Sequence, residues 1–310
     1  MNEEVQFTRE LPLVGKDLLQ DVLCTLAKKN DYAVNHPEEF QDHLSHGQTV
    51  EFIFQACTRW DLPLPAHFLA VEYFDRFLVR HIRDLRQDVA TSNGPRITWE
   101  SVMERVSEQV VLRALSCIQI ASKMVSSGKA VTLKDVHALV KSSGHVYSMN
   151  SVLMSELRVL RTLDYRLQID SPLDFIEILL DIISCNDADF SPKDVYPVAL
   201  QLLRAFYFMR KEIYAKTAGL LRFESSQGSQ DSSRTASNTF ASDKLLLAAA
   251  ILVTAVRLRT PKKHAQFLAN VTAVTRFVDD EVEDFSVVIL SVLYNESPTV
   301  SETVFPHHSG

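Results

Sequence analysis

Glycine is scarce in this chain, which has 8 glycines among 310 residues. Runs in which β-branched residues alternate with polar ones are also rare, whereas apolar residues return at steps of three and four. Strands and hairpins need that alternation and favour glycine at their turns. The pattern therefore excludes a β-rich fold and predicts an almost entirely helical chain.

Cysteine is equally sparse, and the 4 cysteines stand far apart at Cys24, Cys57, Cys117 and Cys185 with no CxxC pair. This spacing argues against a disulfide framework and against a zinc ribbon. The histidines His36, His43 and His46 have no clean metal spacing either, so we interpret them as structural. We expect free, buried thiols in a reducing compartment, which indicates an intracellular protein.

A long apolar run is missing too. The longest one, Leu245–Val256, is too short to span a bilayer and has the length of a buried core helix. The first residues are acidic and contain no apolar run of signal-peptide length, so no membrane role is expected.

Positive charge does not dominate, because 32 basic residues face 39 acidic ones and the net charge is −7. Such a chain is repelled by phosphate backbones, so direct binding of nucleic acid is not the expected function. The basic cluster RLRTPKKH (257–264) could touch nucleic acid or serve as a weak nuclear import signal. Five charges at a helix junction are more often a solvated edge.

Signatures of catalysis are lacking as well. HIRDL (81–85) is superficially similar to a kinase catalytic loop, but an isoleucine interrupts it, and no glycine-rich phosphate loop accompanies it. DDEVEDF (279–285) concentrates carboxylates, which are favoured at a helix start without any metal or acid–base role. We therefore predict a non-enzyme without a cofactor or a metal.

The first half of the chain predicts five strong helices after a weak one near Leu18–Ala27. They begin with Val50–Trp60 and Phe68–His81, and the polar residues 83–104 predict a long connection after them. A helix over 106–125 is apolar around most of its girth and belongs at the centre of a domain. A short helix (132–140) and a longer one (151–163) follow, the latter with Leu153, Leu157 and Leu160 predicted to face inward.

Five more helices are predicted in the second half, at 172–184, 192–221, 242–258, 262–277 and 279–294. The third helix is again the most apolar, which favours a duplicated five-helix domain. The serine-rich insert 223–242 predicts disorder. The predicted organisation is an N-terminal helical extension (1–40), a first domain (41–170), a second domain (171–296) and a flexible tail (297–310).

Three motifs resemble the cyclin box: FLAVEYFDRFL, IQIASK, and the segment SELRVLRTLDYRLQIDSPLDFI. They occur in the family's order across roughly residues 45–178. The resemblance implies an all-α fold of two cyclin-like five-helix domains in tandem, the second degenerate.

The resemblance also implies site residues. The family's kinase-facing lysine and glutamate match Lys123 and Glu156, which implies a partner-binding surface. The alternative is that Lys123 only complements its helix dipole and Glu156 is an ordinary solvated residue. Asp75 projects at the edge of a buried helix face, and the family pairs the matching aspartate with an arginine whose position here is His46. Asp75 could instead reach solvent or a backbone amide.

Within the family, the segment 50–81 and the insertion before the central helix are most similar to nuclear germ-cell proteins that promote crossover formation in meiosis. This implies a non-catalytic regulator of meiotic recombination, nuclear, with the cytoplasm left open as a second location. Its partners would be a cyclin-dependent kinase or meiotic recombination proteins. Two alternatives stay open: a cyclin that activates such a kinase, and a cyclin-fold adaptor that binds nucleic acid.

Two departures count against the activating cyclin. Many kinase-binding cyclins follow the lysine of ASK with a tyrosine and two glutamates, whereas Met124, Val125, Ser126 and Ser127 follow it here. The hydrophobic substrate-docking patch of the family is also mostly polar, at Ser45, Gln48, Thr49 and Phe52.

Overall fold

A computed structural model of the chain describes residues 15–36, 47–91, 98–125, 130–142, 144, 146–224 and 240–295. These residues form eleven α-helices and one 3₁₀ turn (Pro261–Lys263), and no strand occurs among them. The predicted all-α fold is confirmed. The helices are α1 (Lys16–Asn35), α2 (Gly47–Arg59), α3 (Leu64–Thr91), α4 (Trp99–Val125), α5 (Leu133–Ser142), α6 (Met149–Thr162), α7 (Pro172–Asn186), α8 (Pro192–Glu224), α9 (Lys244–Arg259), α10 (His264–Thr275) and α11 (Asp279–Asn295).

The chain divides into two units, one of residues 39–169 and one of residues 1–38 together with 170–310. The first unit, which we call the box unit, is built from α2–α6 around α4. From Leu112 to Ser122 every residue of α4 is buried, as expected for a helix that is apolar around most of its circumference.

The second unit, which we call the C-terminal unit, is built around α9. Every residue from Leu245 to Val256 is buried, so the longest apolar run of the sequence is the central helix of this unit. No helix in the described part of the chain is long and apolar enough to cross a membrane.

The N-terminal helix α1 packs against α7 and α9 and is part of the C-terminal unit. Its buried residues Leu19 and Leu23 are one helical turn apart. Lys29 adds an ion pair to Asp170, with 3.0 Å between Nζ and Oδ2. This helix is longer than the sequence indicated, and long-range contacts hold it in place.

Local signals set several helix starts. Ser148 caps α6 by accepting from the Ser151 backbone N–H at 3.1 Å. Asp174 accepts from the Ser171 backbone N–H at 2.6 Å, next to Pro172 at the first position of α7. Such bonds satisfy N–H groups that a helix start otherwise leaves unpaired.

The predicted long connection at residues 83–104 is wrong. Helix α3 continues to Thr91 and α4 begins at Trp99. Ile82, Leu85 and Val89 keep the three- and four-residue spacing along the polar segment, and all three are at least half-buried. The Arg86 guanidinium also lies 5.2 Å from the Trp99 ring centroid, which favours the helical extension.

Most of the predicted serine-rich insert lies outside the described residues, and so does the tail 297–310. The last three residues of the insert, 240–242, are helical instead of disordered. The Phe240 ring packs edge-on against Phe285 with 4.6 Å between centroids, and Ser242 is buried. The Tyr214 hydroxyl also donates to the Ala241 carbonyl at 3.4 Å, so an aromatic contact and a hydrogen bond attach this end of the insert to the C-terminal unit.

All four cysteines are free. Cys57 and Cys117 are buried as predicted, whereas Cys24 and Cys185 are exposed. The pKa of the Cys57 thiol is raised to about 12 by burial, which keeps it protonated and unreactive.

Candidate functional site

Helices α4 and α6 bring Lys123 and Glu156 together. The Lys123 Nζ donates to Glu156 Oε1. Lys123 belongs to the last turn of α4 and its side chain is 46% exposed, whereas the Glu156 side chain on α6 is 11% exposed. A largely covered carboxylate therefore holds a solvent-accessible ammonium at the surface of the box unit. An ammonium has three N–H donors, so a partner molecule can use the others.

Each member of this pair has an exposed apolar neighbour on its own helix. Leu153 on α6 is 49% exposed, and Met124, next to Lys123 on α4, is 46% exposed. Leu153 stands one turn before Glu156 on the same face of α6. We call these two apolar residues together with Lys123 and Glu156 the α4–α6 surface.

The predicted inward stripe of α6 is wrong for Leu153. The buried residues of α6 are Val152, Ser155, Glu156 and Val159. Ser155 faces inward because α4 presents polar partners there, with Ser116 Oγ at 2.7 Å from its hydroxyl oxygen. The leucines at 153, 157 and 160 share helical spacing, but Leu153 is exposed, while Leu157 and Leu160 are partly buried at the edge of the inward face.

Asp75 lies on α3 and is buried, with 9% of its surface exposed. It is close enough to α4 to add to the effect of burial in raising the pKa of the Cys117 thiol. His46 lies outside the described residues, so the Asp75–His46 pair stays a prediction.

Helix α3 also fixes the segment that follows α6. The Tyr73 hydroxyl donates to the Leu167 carbonyl at 2.6 Å, and burial raises the pKa of this phenol. Arg80 Nη1 donates to the Thr162 carbonyl at 3.3 Å. Asp164 and Tyr165 between them adopt φ of 55° and 56°, a left-handed conformation that non-glycine residues rarely adopt. These bonds hold the strained turn at the end of α6.

The basic cluster 257–264 is largely engaged within its own unit. Arg257 Nη2 pairs with Glu283 Oε1, and His264 Nε2 lies 3.2 Å from the other oxygen of that carboxylate. Lys263 Nζ donates to the Asp189 carbonyl at 2.5 Å. Burial and the neighbouring Arg257 lower the pKa of His264. The cluster therefore presents fewer free cations than its sequence suggests.

The acidic segment 279–285 begins helix α11. Burial and the nearby Asp243 raise the pKa of Glu281, while Glu283 is the carboxylate bound to Arg257. Across the described ranges, no group of three or more histidine, cysteine, aspartate or glutamate side chains is arranged to hold a metal. Asp279, Asp280 and Glu281 lie in the first turn of α11, where carboxylates complement the helix dipole.

Sequence reasoning missed Arg113, which the structure buries in α4 beside Ser155. The available signal was a cation in the middle of the otherwise apolar stretch VVLRALSCIQ (110–119). A buried cation is costly and needs a reason.

Comparison with known proteins agrees with this architecture. A solved viral cyclin from herpesvirus saimiri shares the fold, with a TM-score of 0.50 at 12% identity over 85% of this chain and 97% of that one. The fold is therefore that of the cyclins, with cyclin-like domains in tandem as predicted.

Sequence similarity gives the family. Residues 17–168 match the family model "Cyclin, N-terminal domain". The chain is 25% identical to Cyclin N-terminal domain-containing protein 1 of Mus musculus over 302 residues, covering 95% of this chain and 89% of that protein. It is 29% identical to Cyclin-D5-1 of Oryza sativa subsp. japonica over 136 residues, 44% of this chain and 32% of that one. Residues 17–168 therefore form a cyclin N-terminal domain, and the chain is a cyclin-like regulator.

Proposed function

We propose that this protein is a non-catalytic nuclear regulator of meiotic recombination. It promotes the maturation of recombination intermediates into crossovers by binding other proteins through the α4–α6 surface. The observation that carries the proposal is the ion pair between Lys123 and Glu156, which orients an exposed cation among exposed apolar side chains. The choice of meiotic recombination comes from the resemblance of the segment 50–81, and of the insertion after it, to crossover-promoting germ-cell proteins within the family. The similarity to Cyclin N-terminal domain-containing protein 1 extends over 95% of the chain.

The physical case rests on how protein interfaces are built. Their centres are apolar, rich in methionine and aromatic residues, and contain a few oriented polar groups. Met124 and Leu153 supply the apolar area and Lys123 supplies the oriented donor. Since Glu156 already neutralises the ammonium, covering it with a partner costs less than burying an unpaired charge.

The second candidate is a cyclin that activates a cyclin-dependent kinase. The same ion pair and the 29% identity to Cyclin-D5-1 favour it. Against it, Met124 and Val125 follow Lys123 where many kinase-binding cyclins have a tyrosine and a glutamate. An activating cyclin would raise kinase activity on mixing, whereas the proposed regulator would bind without raising it.

A nucleic-acid adaptor is the least favoured reading. The chain has a net charge of −7. Arg257, Lys263 and His264 of the basic cluster are engaged with groups of their own unit. A steep fall of DNA affinity with salt would favour this adaptor over the proposed function.

The test is a binding assay with purified cyclin-dependent kinases and purified meiotic recombination proteins. The variant is the charge swap Lys123→Glu with Glu156→Lys, which can keep the internal ion pair while reversing the charge offered to a partner. A second swap, Glu104→Lys with Lys134→Glu, changes two exposed residues of the box unit elsewhere and serves as the matched control.

We expect a recombination protein to bind the wild-type chain and the control swap but to lose at least about tenfold in affinity for the Lys123/Glu156 swap, at unchanged helical content. In meiotic cells that lack the protein, crossover number should be restored by the wild type and the control swap only. Full binding by the Lys123/Glu156 swap would show that the α4–α6 surface is not the docking site. Normal crossover number in cells that lack the protein would refute the meiotic role.

A further inference from the structure

A cavity of about 470 Å³ lies between α4 and α6 within the box unit. One wall comes from α4, with Leu112 and Arg113, and the other comes from α6, with Ser151, Arg158 and Arg161. We call it the arginine cleft. Three of its lining residues are arginines, and none of the aspartates or glutamates that the structure describes lines it.

Arg113 lies deep in this cleft, with only 9% of its surface exposed. Its Nη1 donates to Ser155 Oγ at 2.7 Å and its Nη2 to Gln109 Oε1 at 2.5 Å. Its Nε is buried and has no hydrogen-bond partner in the described part of the chain. Both partners are neutral, so among the described residues no anion is paired with the buried guanidinium.

Such an arrangement is unfavourable in the isolated chain. Burial lowers the pKa of Arg113 to about 10, and repulsion by Arg158 adds to this shift. A buried guanidinium normally has a carboxylate partner, because its desolvation costs several kcal/mol otherwise. An anion that enters the cleft would supply the missing partner.

The mouth of the cleft is cationic too. Arg158 and Arg161 stand three residues apart on α6, on neighbouring turns, and both are exposed. His81, on α3, is close enough that burial and the charges of Arg113 and Arg158 lower its pKa to about 4. The imidazole is therefore neutral at physiological pH, and the local potential is positive.

We propose that the arginine cleft binds the phosphate group of a phosphorylated serine or threonine in a partner protein. Arginine pairs bidentately with phosphate oxygens, and arginine clusters are a recurring means of recognising phosphorylated peptides. Arg113 meets the phosphate at the floor, and Arg158 and Arg161 close over it from the mouth. Ser151 adds a hydroxyl to the lining.

The size and the charge of the site favour a peptide over nucleic acid. The cleft has room for more than a phosphate ion, and Leu112, Met154 and Leu157 give it apolar walls for the neighbouring side chains. A nucleic-acid backbone needs cations spread along a stripe, whereas these three arginines converge on one pocket. The net charge of −7 also repels a polyanion.

This site is separate from the proposed docking pair. Lys123 and Glu156 do not line the arginine cleft, and the residues of the cleft take no part in their ion pair. The Lys123/Glu156 swap should therefore leave phosphate recognition intact, and either proposal can fail without the other.

The experiment measures retention of the full chain on a peptide library with a fixed phosphothreonine and randomised flanks. The same library with unmodified threonine and a fifteen-nucleotide oligo(dT) are the comparison ligands. We expect retention by the phosphorylated library alone. The double variant Arg158→Gln/Arg161→Gln should lower affinity for it at least about tenfold, since it removes charge-assisted hydrogen bonds. The control Arg59→Gln/Lys134→Gln removes two exposed charges elsewhere and should change affinity less than about twofold.

A second readout reports on the floor of the cleft. Nuclear magnetic resonance of the His81 ring follows its pKa directly, and a bound phosphate should raise that pKa from about 4 toward its ordinary value. The change should be absent in Arg113→Met, whose uncharged side chain of similar length keeps the packing. Equal retention of both libraries, stronger retention of oligo(dT), an equal loss in the control, or an unchanged His81 pKa on saturation with phosphopeptide would each overturn the proposal.

Discussion

The bond network of Asn30 gives the sharpest stability prediction. Asn30 lies on α1 and is 6% exposed. Its Nδ2 donates to Asp243 Oδ1 at 2.9 Å, and its Oδ1 accepts from the backbone N–H groups of Lys244 at 2.9 Å and Leu245 at 3.3 Å. Asp243 is itself the cap of α9, since it accepts from the Leu246 N–H at 2.8 Å. One amide thus connects α1 to the start of the central helix of its unit.

Replacing Asn30 with alanine removes three hydrogen bonds at a buried position. Each contributes about 1 kcal/mol net, and the bond to the carboxylate of Asp243 contributes more. The N–H groups of Lys244 and Leu245 are left without that acceptor at the first turn of α9, where a lost cap costs about 0.5–2 kcal/mol. We expect Asn30→Ala to lower the free energy of unfolding of the C-terminal unit by about 2–4 kcal/mol.

Urea titration checks this value, with far-UV circular dichroism for all helices and tryptophan fluorescence for the box unit. Both tryptophans of the chain, Trp60 and Trp99, belong to the box unit. With a slope of about 2 kcal/mol/M, the dichroism midpoint of the transition should fall by about 1–2 M, and by more than the fluorescence midpoint. Asn35→Ala is the matched control, because Asn35 lies on the same helix but is exposed.

Two results would refute this reasoning. If Asn30→Ala had the same dichroism midpoint as the Asn35→Ala control, the network around Asp243 would contribute nothing to stability. If only the tryptophan transition moved, α1 would stabilise the box unit instead of the unit in which it packs.

Three further changes test other contacts. Burial raises the pKa of Asp243, so the folded chain holds a proton that the unfolded chain releases, and stability should fall as the pH rises from about 4. In urea titrations at pH 4 and 7, Asp243→Asn should remove most of this fall, and Glu281 should account for the remainder. An unchanged difference in stability between the two pH values would contradict this reasoning. Tyr73→Phe should cost about 1–2 kcal/mol because it leaves the Leu167 carbonyl unpaired, and a loss within error by urea titration would rule that bond out as a contributor. Leu153→Gln should change stability by less than about 0.5 kcal/mol, as expected at an exposed position, whereas a loss above about 2 kcal/mol would place Leu153 in the core.

The helices themselves were predictable because their signals are local. The apolar run 245–256 and the mostly apolar circumference of α4 each predict a helix buried on all sides, and neither prediction needs any other part of the chain. Pro172 and Ser171 likewise mark the start of α7 within a few residues. The local sequence pattern was therefore sufficient to predict a helix and its burial wherever these did not depend on a neighbouring helix.

The facing of α6 was not predictable, because a second helix decides it. Leucine spacing at 153, 157 and 160 defines a stripe, yet Ser155 turns inward to reach Ser116 and Arg113 of α4. The prediction that α3 ends before its polar residues failed for a related reason. Arg86 gains a contact with Trp99, and a local count of apolar residues does not include such a contact. Tertiary contacts override periodicity at both places.

The candidate site was predicted only in part. The pairing of Lys123 with Glu156 came from the family resemblance, because spacing alone cannot join residues 33 positions apart. Arg113 was visible as a misplaced cation, but only the fold shows that Arg158 and Arg161 share its cleft. Which distant residues come together depends on how the helices pack, and this packing cannot be read from a single sequence.

The place of α1 has a consequence for synthesis on the ribosome. The box unit is an insertion within the chain of the C-terminal unit, since α1 precedes it in sequence and packs with α7 and α9, which follow it. Helix α1 is made before the box unit. Its buried face, with Leu19 and Leu23, meets α7 only after more than one hundred further residues have been made, and α9 only after more than two hundred. Until then this face is available to chaperones or to other chains. A fragment that ends after the box unit would keep that exposed face permanently, and one that begins at the box unit would lack a wall of the C-terminal core.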